Sequence, residues 1–147
     1  MNLKNCTLDV ITQAQIDKAI AEAQKAKVVS YSPYSKFRVG CCIVTEDGSF
    51  ISGSNVENAS YGAAICAERT AIVKAVTSFH RQDWVCIAIN SDMTDKYIPP
   101  CGICRQMIRE FGRPNLPVIM TNCDASIKKI MTLDELLPES FGPEHFD

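Results

Sequence analysis

A chain of 147 residues fits a single domain and can bury roughly 70% of the surface its unfolded form would expose, so a normal core needs no disulfide staples. Its eight cysteines are about 5% of the residues, below the ~8–10% that marks a short secreted disulfide scaffold. A net charge of −2, with no Lys/Arg-rich run, argues against a large footprint for polynucleotide phosphates and for a small, uncharged substrate. No basic start followed by an apolar run appears near Met1, and no apolar segment approaches the ~18 residues needed to cross a bilayer, so a soluble protein of the reducing cytosol is expected.

The first element is a helix from about Thr12 to Ser30, capped by Thr12, with Ala14, Ile16, Ala19, Ile20, Ala23, Ala26 and Val28 at helical spacing. Tyr31-Ser32-Pro33-Tyr34-Ser35 ends it, because proline cannot continue the ladder. Phe37–Thr45 and Phe50–Asn55 are apolar or β-branched runs joined by Glu46-Asp47-Gly48-Ser49, whose Asp-Gly pair suits a hairpin. A second helix is expected over Ile65–Phe79, a buried strand over Trp84–Asn90, and a third helix over Gly102–Phe111, stopped by Gly112 and Pro114. Pro117–Thr121 and Ile127–Met131 read as further strands, and Thr132 can cap a short helix through Leu137. Helices interleaved with five strands make an α/β fold, a three-layer α/β/α sandwich around a mixed sheet, with residues 1–147 as one domain.

The chemistry concentrates in two stretches, Cys66-Ala67-Glu68 and Pro100-Cys101-Gly102-Ile103-Cys104. Cys101 and Cys104, three apart on one helical turn, can turn both sulfurs toward one ion, and Cys66 supplies a third. Three soft ligands suit Zn²⁺ and leave its fourth tetrahedral position to water, which is the open position that catalysis requires. Glu68 then serves as proton carrier beside the metal, the division of labour of zinc deaminases. Taken alone, a glutamate in the first turn of a helix is explained by the macrodipole. Because residues two apart on a regular helix point to opposite sides, the arrangement requires Cys66 at the cap or first helical position.

A structural zinc would need a fourth protein ligand. Cys41, Cys42 and Cys86 lie in apolar strand patterns and read as buried hydrophobes, His80 and His145 read as solvated, and Cys6 and Cys123 default to surface thiols. Three thiolates leave the metal at a net −1, which two helix N-termini and an arginine can offset. Arg69, beside Glu68, is one candidate for hydrogen-bonding a thiolate, and Arg105 is the second.

These motifs, with Tyr34-Ser35-Lys36-Phe37-Arg38-Val39-Gly40, Asn55-Val56-Glu57-Asn58-Ala59, Arg69-Thr70-Ala71, Arg105-Gln106 and Glu135-Leu136-Leu137-Pro138, closely resemble the small homotetrameric zinc-dependent cytidine deaminases over nearly the whole chain. Related deoxycytidylate and tRNA deaminases usually carry histidine at the position of Cys66. The resemblance implies hydrolytic deamination of cytidine and 2′-deoxycytidine, with one Zn²⁺ per subunit on Cys66, Cys101 and Cys104 and with Glu68 as the catalytic group. It further implies that Asn55 and Glu57 bind the ribose, that Phe37 packs on the nucleoside, and that the backbone around Ala67 fixes the base edge. Tyr61 and Phe141 are expected to complete pockets shared between subunits of a homotetramer in the cytoplasm, or also in the nucleus. Cys41-Cys42 and Gly62-Ala63-Ala64 depart from the family pattern. The competing readings are a deaminase of another aminopyrimidine or of a nucleoside antibiotic such as blasticidin S, and a zinc-stabilised module that holds a nucleoside or a protein partner without turnover.

Overall fold

A capping box starts the first described helix, α1 (Gln13–Lys27): the Gln15 N–H donates to the Thr12 hydroxyl at 3.2 Å, and the Thr12 N–H donates to the Gln15 side-chain oxygen at 2.9 Å. The computed structural model describes residues 11–147, so Cys6 lies outside the described residues. Ile16, Ala19, Ile20, Ala23 and Ala26 form the buried stripe of α1. The helix stops three residues before the expected Ser30. The N–H groups of Val28, Val29 and Ser30 donate to Lys25, Ala26 and Lys27, a tightened last turn, and Val28 and Val29 are left exposed.

After α1 come β1 (Val39–Thr45), β2 (Phe50–Ser54), α2 (Ala67–Thr77), β3 (Trp84–Ser91), α3 (Gly102–Phe111), β4 (Pro117–Thr121), β5 (Lys128–Thr132) and α4 (Leu133–Leu136). The five strands form one mixed sheet in the order β2-β1-β3-β4-β5, with only β3 and β4 parallel. That parallel pair is joined through α3, since a tight turn cannot connect parallel neighbours. Thr132 ends β5 and also caps α4, where a second capping box links it to Glu135.

Alternation along the strands divides the core in two. Cys41, Ile43, Ile87, Ile89, Val118 and Met120 face α2 and α3, while Cys42, Val44, Ala88 and Ile119 face α1. This is the three-layer sandwich the sequence predicts. Ile43, Ile72 and Ile87 are fully buried, each contributing about 1.5–3 kcal/mol by transfer from water. Cys41, Cys42 and Cys86 behave as the expected buried hydrophobes, and burial pushes the thiols of Cys42 and Cys86 up to about 12.

Two glycines set how closely helices approach the sheet. A Cβ on Gly40 of β1 would lie 1.9 Å from the Ala23 carbonyl oxygen of α1, and one on Gly53 of β2 would lie 2.4 Å from the Ala71 nitrogen and 2.8 Å from the Ala67 carbonyl oxygen of α2. Neither position admits a side chain without moving backbone.

The register collects one end of the sheet into a functional edge. Because β1 runs antiparallel to both neighbours, its first residue Val39 pairs with Ser91 at the end of β3, and Gly40 pairs with Ser54 at the end of β2. The segments leaving β2 and β3 therefore emerge at the same end of the sheet, on either side of β1, and lead into α2 and α3. Crevices at the carboxyl ends of strands are the usual ligand sites of α/β sheets.

Candidate metal centre and nucleoside pocket

Cys66 and Cys101 occupy equivalent places, each the N-cap of its helix, α2 or α3, in extended conformation and with no side-chain capping bond. The requirement imposed by the Cys-Ala-Glu spacing is thus met: Ile65 pairs with Val56 in a short bridge, so α2 opens at Ala67 and not at Ile65. Cys104 follows within the first turn of α3. The three sulfurs lie within 4.8 Å of one another, with Cys66 Sγ and Cys101 Sγ 3.8 Å apart. A tetrahedron of Zn–S bonds of about 2.3 Å sets its sulfurs about 3.8 Å apart, so the donor set fits this ion in kind and in spacing. No fourth Cys, His, Asp or Glu joins the cluster among the described residues.

The electrostatics of the cluster favour one thiolate, at Cys66. The Arg69 guanidinium reaches Cys66 Sγ at 3.6 Å. A hydrogen bond from Cys104, seconded by Arg69, lowers the Cys66 thiol below its ordinary value, while the same pairing and burial push Cys104 well up. Glu68 is 5% exposed, and burial, reinforced by the charge of Cys66, raises its carboxyl to about 7. A carboxyl so poised exchanges protons readily near neutrality.

Glu68 lines a cavity of about 470 Å³ together with Cys66, Cys101, Ala67, Asn55 and Glu57. That volume is within the range of pockets that enclose small organic ligands. Loop backbone orients the two polar groups on its rim. Asn55 Oδ1 accepts from the Val39 N–H at 2.9 Å and its amide donates to the Phe37 carbonyl at 3.0 Å, leaving one amide hydrogen for a ligand. Glu57 Oε1 accepts from the N–H groups of Tyr34 at 2.9 Å and Ser35 at 3.1 Å, and its carboxyl is held below the usual range first by the Ser35 side chain and then by these backbone bonds.

The family profile of the cytidine and deoxycytidylate deaminase zinc-binding region matches residues 13–120. The chain belongs to the cytidine deaminase family. Cytidine deaminase of Sporosarcina psychrophila is 43% identical over 88% of this chain and 93% of that protein, and cytidine deaminase of Halalkalibacterium halodurans is 46% identical over 85% and 92%. The crystal structure of cytidine deaminase from Burkholderia pseudomallei superposes with a TM-score of 0.82 at 40% identity, covering 89% of this chain and all of that one. The zinc dependence of the family and the soft-donor cluster of the chain agree.

Of the residues picked from sequence, Cys66, Cys101, Cys104, Glu68, Ala67, Asn55, Glu57, Tyr61 and Arg69 come together around one cavity. Phe37 does not line it. That residue is half-buried beside the pocket and contributes its carbonyl to Asn55, while Val39, two residues on, supplies apolar wall. Phe141 is 58% exposed, outside the cavity of its own chain, where it stacks on His145. Arg105 requires correction as a thiolate partner: its guanidinium donates to the Pro100 carbonyl at 2.8 Å and the Leu136 carbonyl at 2.6 Å, so Arg69 alone of the two reaches a sulfur. His80, expected in solvent, is half-buried and binds Asp83 at 2.6 Å. Cys123 is half-buried rather than fully at the surface, its sulfur 3.3 Å from the ammonium of Lys27. Sequence reasoning missed Ile65 and Ile98 of the pocket wall, since an isolated isoleucine in an apolar run carries no chemical signature.

Proposed function

We propose that this chain hydrolyses cytidine and 2′-deoxycytidine to uridine and 2′-deoxyuridine with release of ammonia. The observation that carries the reading is the buried Glu68 lining a cavity of about 470 Å³ beside a three-thiol cluster at two helix N-termini. Cys66, Cys101 and Cys104 would hold zinc, which when bound lowers the pKa of its water from about 9 to about 7. Glu68 takes the proton from the attacking water and delivers it to N3 of the base. After C4 becomes tetrahedral, the same carboxyl carries a proton to the departing amine, so one group serves as base and then as acid. Arg69 draws negative charge off Cys66, and the Ala67 backbone at the start of α2 meets the edge of the base. The free amide hydrogen of Asn55 and the free carboxylate oxygen of Glu57 bind sugar hydroxyls, while Val39 and Ile65 enclose the ring.

Tyr61, 83% exposed at the rim, and the exposed Phe141 are suited to pockets completed between subunits of a homotetramer acting in the cytoplasm. Gel filtration giving an active monomer would remove that part and leave the chemistry standing. For the reaction itself, the assay is the ultraviolet absorbance change of cytidine mixed with zinc-loaded protein. Conversion to uridine supports the reading. A zinc-loaded protein that binds cytidine without converting it would replace it with a binding module, and conversion only of other aminopyrimidines would change the substrate.

A further inference from the structure

The correction at Arg105 leaves a guanidinium with no thiolate to serve, although it follows Cys104 directly in the chain. Its partners instead frame Cys101. The Arg105 side chain donates from Nε to the Pro100 carbonyl at 2.8 Å, and its backbone N–H donates to the Cys101 carbonyl at 3.0 Å, so one residue engages the carbonyls on both sides of the Cys101 nitrogen and α-carbon. From Nη1 it reaches the Leu136 carbonyl at 2.6 Å. That carbonyl ends α4, where a helix leaves acceptors without internal partners. Helix α4 is itself anchored, since Leu133 is 1% exposed and Leu136 is 6% exposed within the core that faces α2 and α3.

Cys101 needs such support more than the other two thiols. It is the exposed member of the cluster, whereas Cys66 is half-buried and Cys104 buried, and, like Cys66, it is an N-cap without a side-chain capping bond that takes its position from the incoming loop. We propose that Arg105 is a positioning residue for the metal centre: it ties the Pro100–Cys101 peptide to the core-anchored end of α4 and so fixes where the Cys101 sulfur stands. This gives the Glu135-Leu136-Leu137-Pro138 motif a task, that of presenting one carbonyl to the metal-bearing helix. Only a planar fork reaches both carbonyls at once, and a lysine ammonium at the same place keeps at most one. The inference rests on Cys66, Cys101 and Cys104 being the zinc ligands.

The test is zinc affinity, measured on the full chain by competition with a chromogenic chelator, with thermal melting of the metal-free protein alongside. Arg105→Met removes both side-chain bonds and is expected to weaken zinc binding about 10–100-fold, the range for loss of partners that orient metal ligands, with Arg105→Lys falling between it and wild type. Arg109→Ala is the control on the same helix: it removes a 2.8 Å bond to the Ser140 hydroxyl and the ion pair with Glu144, neither near the sulfurs, and is expected to retain wild-type zinc affinity. Wild-type affinity in Arg105→Met, or an equal loss in Arg109→Ala, overturns the proposal. Should Arg105→Met fail to fold, Arg105→Lys decides, and wild-type zinc affinity there overturns the proposal equally. A wild-type chain that takes up no zinc would bring down the ligand assignment itself, and the proposal with it, a result distinct from normal zinc binding that Arg105 does not influence.

Discussion

Gly53→Ala is the sharpest probe of how the sheet holds α2, the helix that carries Glu68. The added methyl would sit 2.4 Å from the Ala71 nitrogen and 2.8 Å from the Ala67 carbonyl oxygen, where ordinary contacts begin at 3.4 Å. Both are backbone atoms of α2, so no side chain can swing aside, and the helix must retreat by about 1 Å, a displacement that by itself can cost about 10²-fold in rate. Ala67 and Glu68, the proposed proton carrier, occupy the first turn of α2 and move with it. The expected result is therefore a loss of about 1–3 kcal/mol in stability from overpacking, together with a fall in kcat/KM of about 10²-fold. Gly40→Ala supplies the comparison, since its clash at 1.9 Å falls on the Ala23 carbonyl oxygen of α1, which carries no site residue. That variant should lose at least as much stability but much less activity per folded molecule. Urea titrations fix the stability, and initial rates with cytidine on the folded fraction fix the activity. A Gly53→Ala enzyme with normal turnover would refute the idea that the β2–α2 contact sets the position of Glu68.

Three further outcomes are expected. Glu68→Gln should keep its zinc, measured by metal analysis, while losing about 10²–10⁴-fold in kcat, and undiminished turnover would eliminate the proton-carrier role. Arg69→Gln, which removes the 3.6 Å contact to Cys66 Sγ, should reduce activity or zinc affinity about 10–100-fold, so unchanged metal content and rate would show that the thiolate charge needs no such partner. His80 is raised above its ordinary value, first by its hydrogen bond to Asp83 and then by the charges of Asp83 and Asp47. Since the folded state holds the proton more tightly, this contribution is complete below the unfolded value of about 6.5 and is lost as pH climbs through the higher folded value. Unfolding free energy measured across that window should decline with pH in wild type and decline less in His80→Gln, and identical slopes would exclude the pair.

The elements legible in sequence were those with chemical punctuation at both ends. Helix α3 spans Gly102–Phe111 as read, because Pro100-Cys101 opens it and Gly112 closes it. Where punctuation was soft, the boundary moved: α1 was expected to reach Ser30, as Val28 continues the apolar period, yet that valine faces solvent. The first strand begins at Val39 rather than Phe37, since the N–H groups of Phe37 and Arg38 are taken by the Ser35 hydroxyl and the Asp92 carboxylate instead of a strand partner. In the site, thiols and a carboxylate announced themselves by type and spacing. Arg105 was legible only as a candidate thiolate partner, because its actual partners are main-chain carbonyls of Pro100 and Leu136, thirty-six positions apart and identical in every sequence.

Two helices that start on bare cysteines have a practical side. At the N-cap, residues such as Ser, Thr, Asp or Asn quench loose main-chain hydrogens, and replacing one by alanine typically forfeits about 1 kcal/mol. Thr12 and Thr132 collect that gain for α1 and α4. Cys66 and Cys101 forgo it, so anyone seeking a more heat-tolerant version of this deaminase by routine cap optimisation will find the two most exploitable positions already reserved for chemistry, and must look to other parts of the molecule.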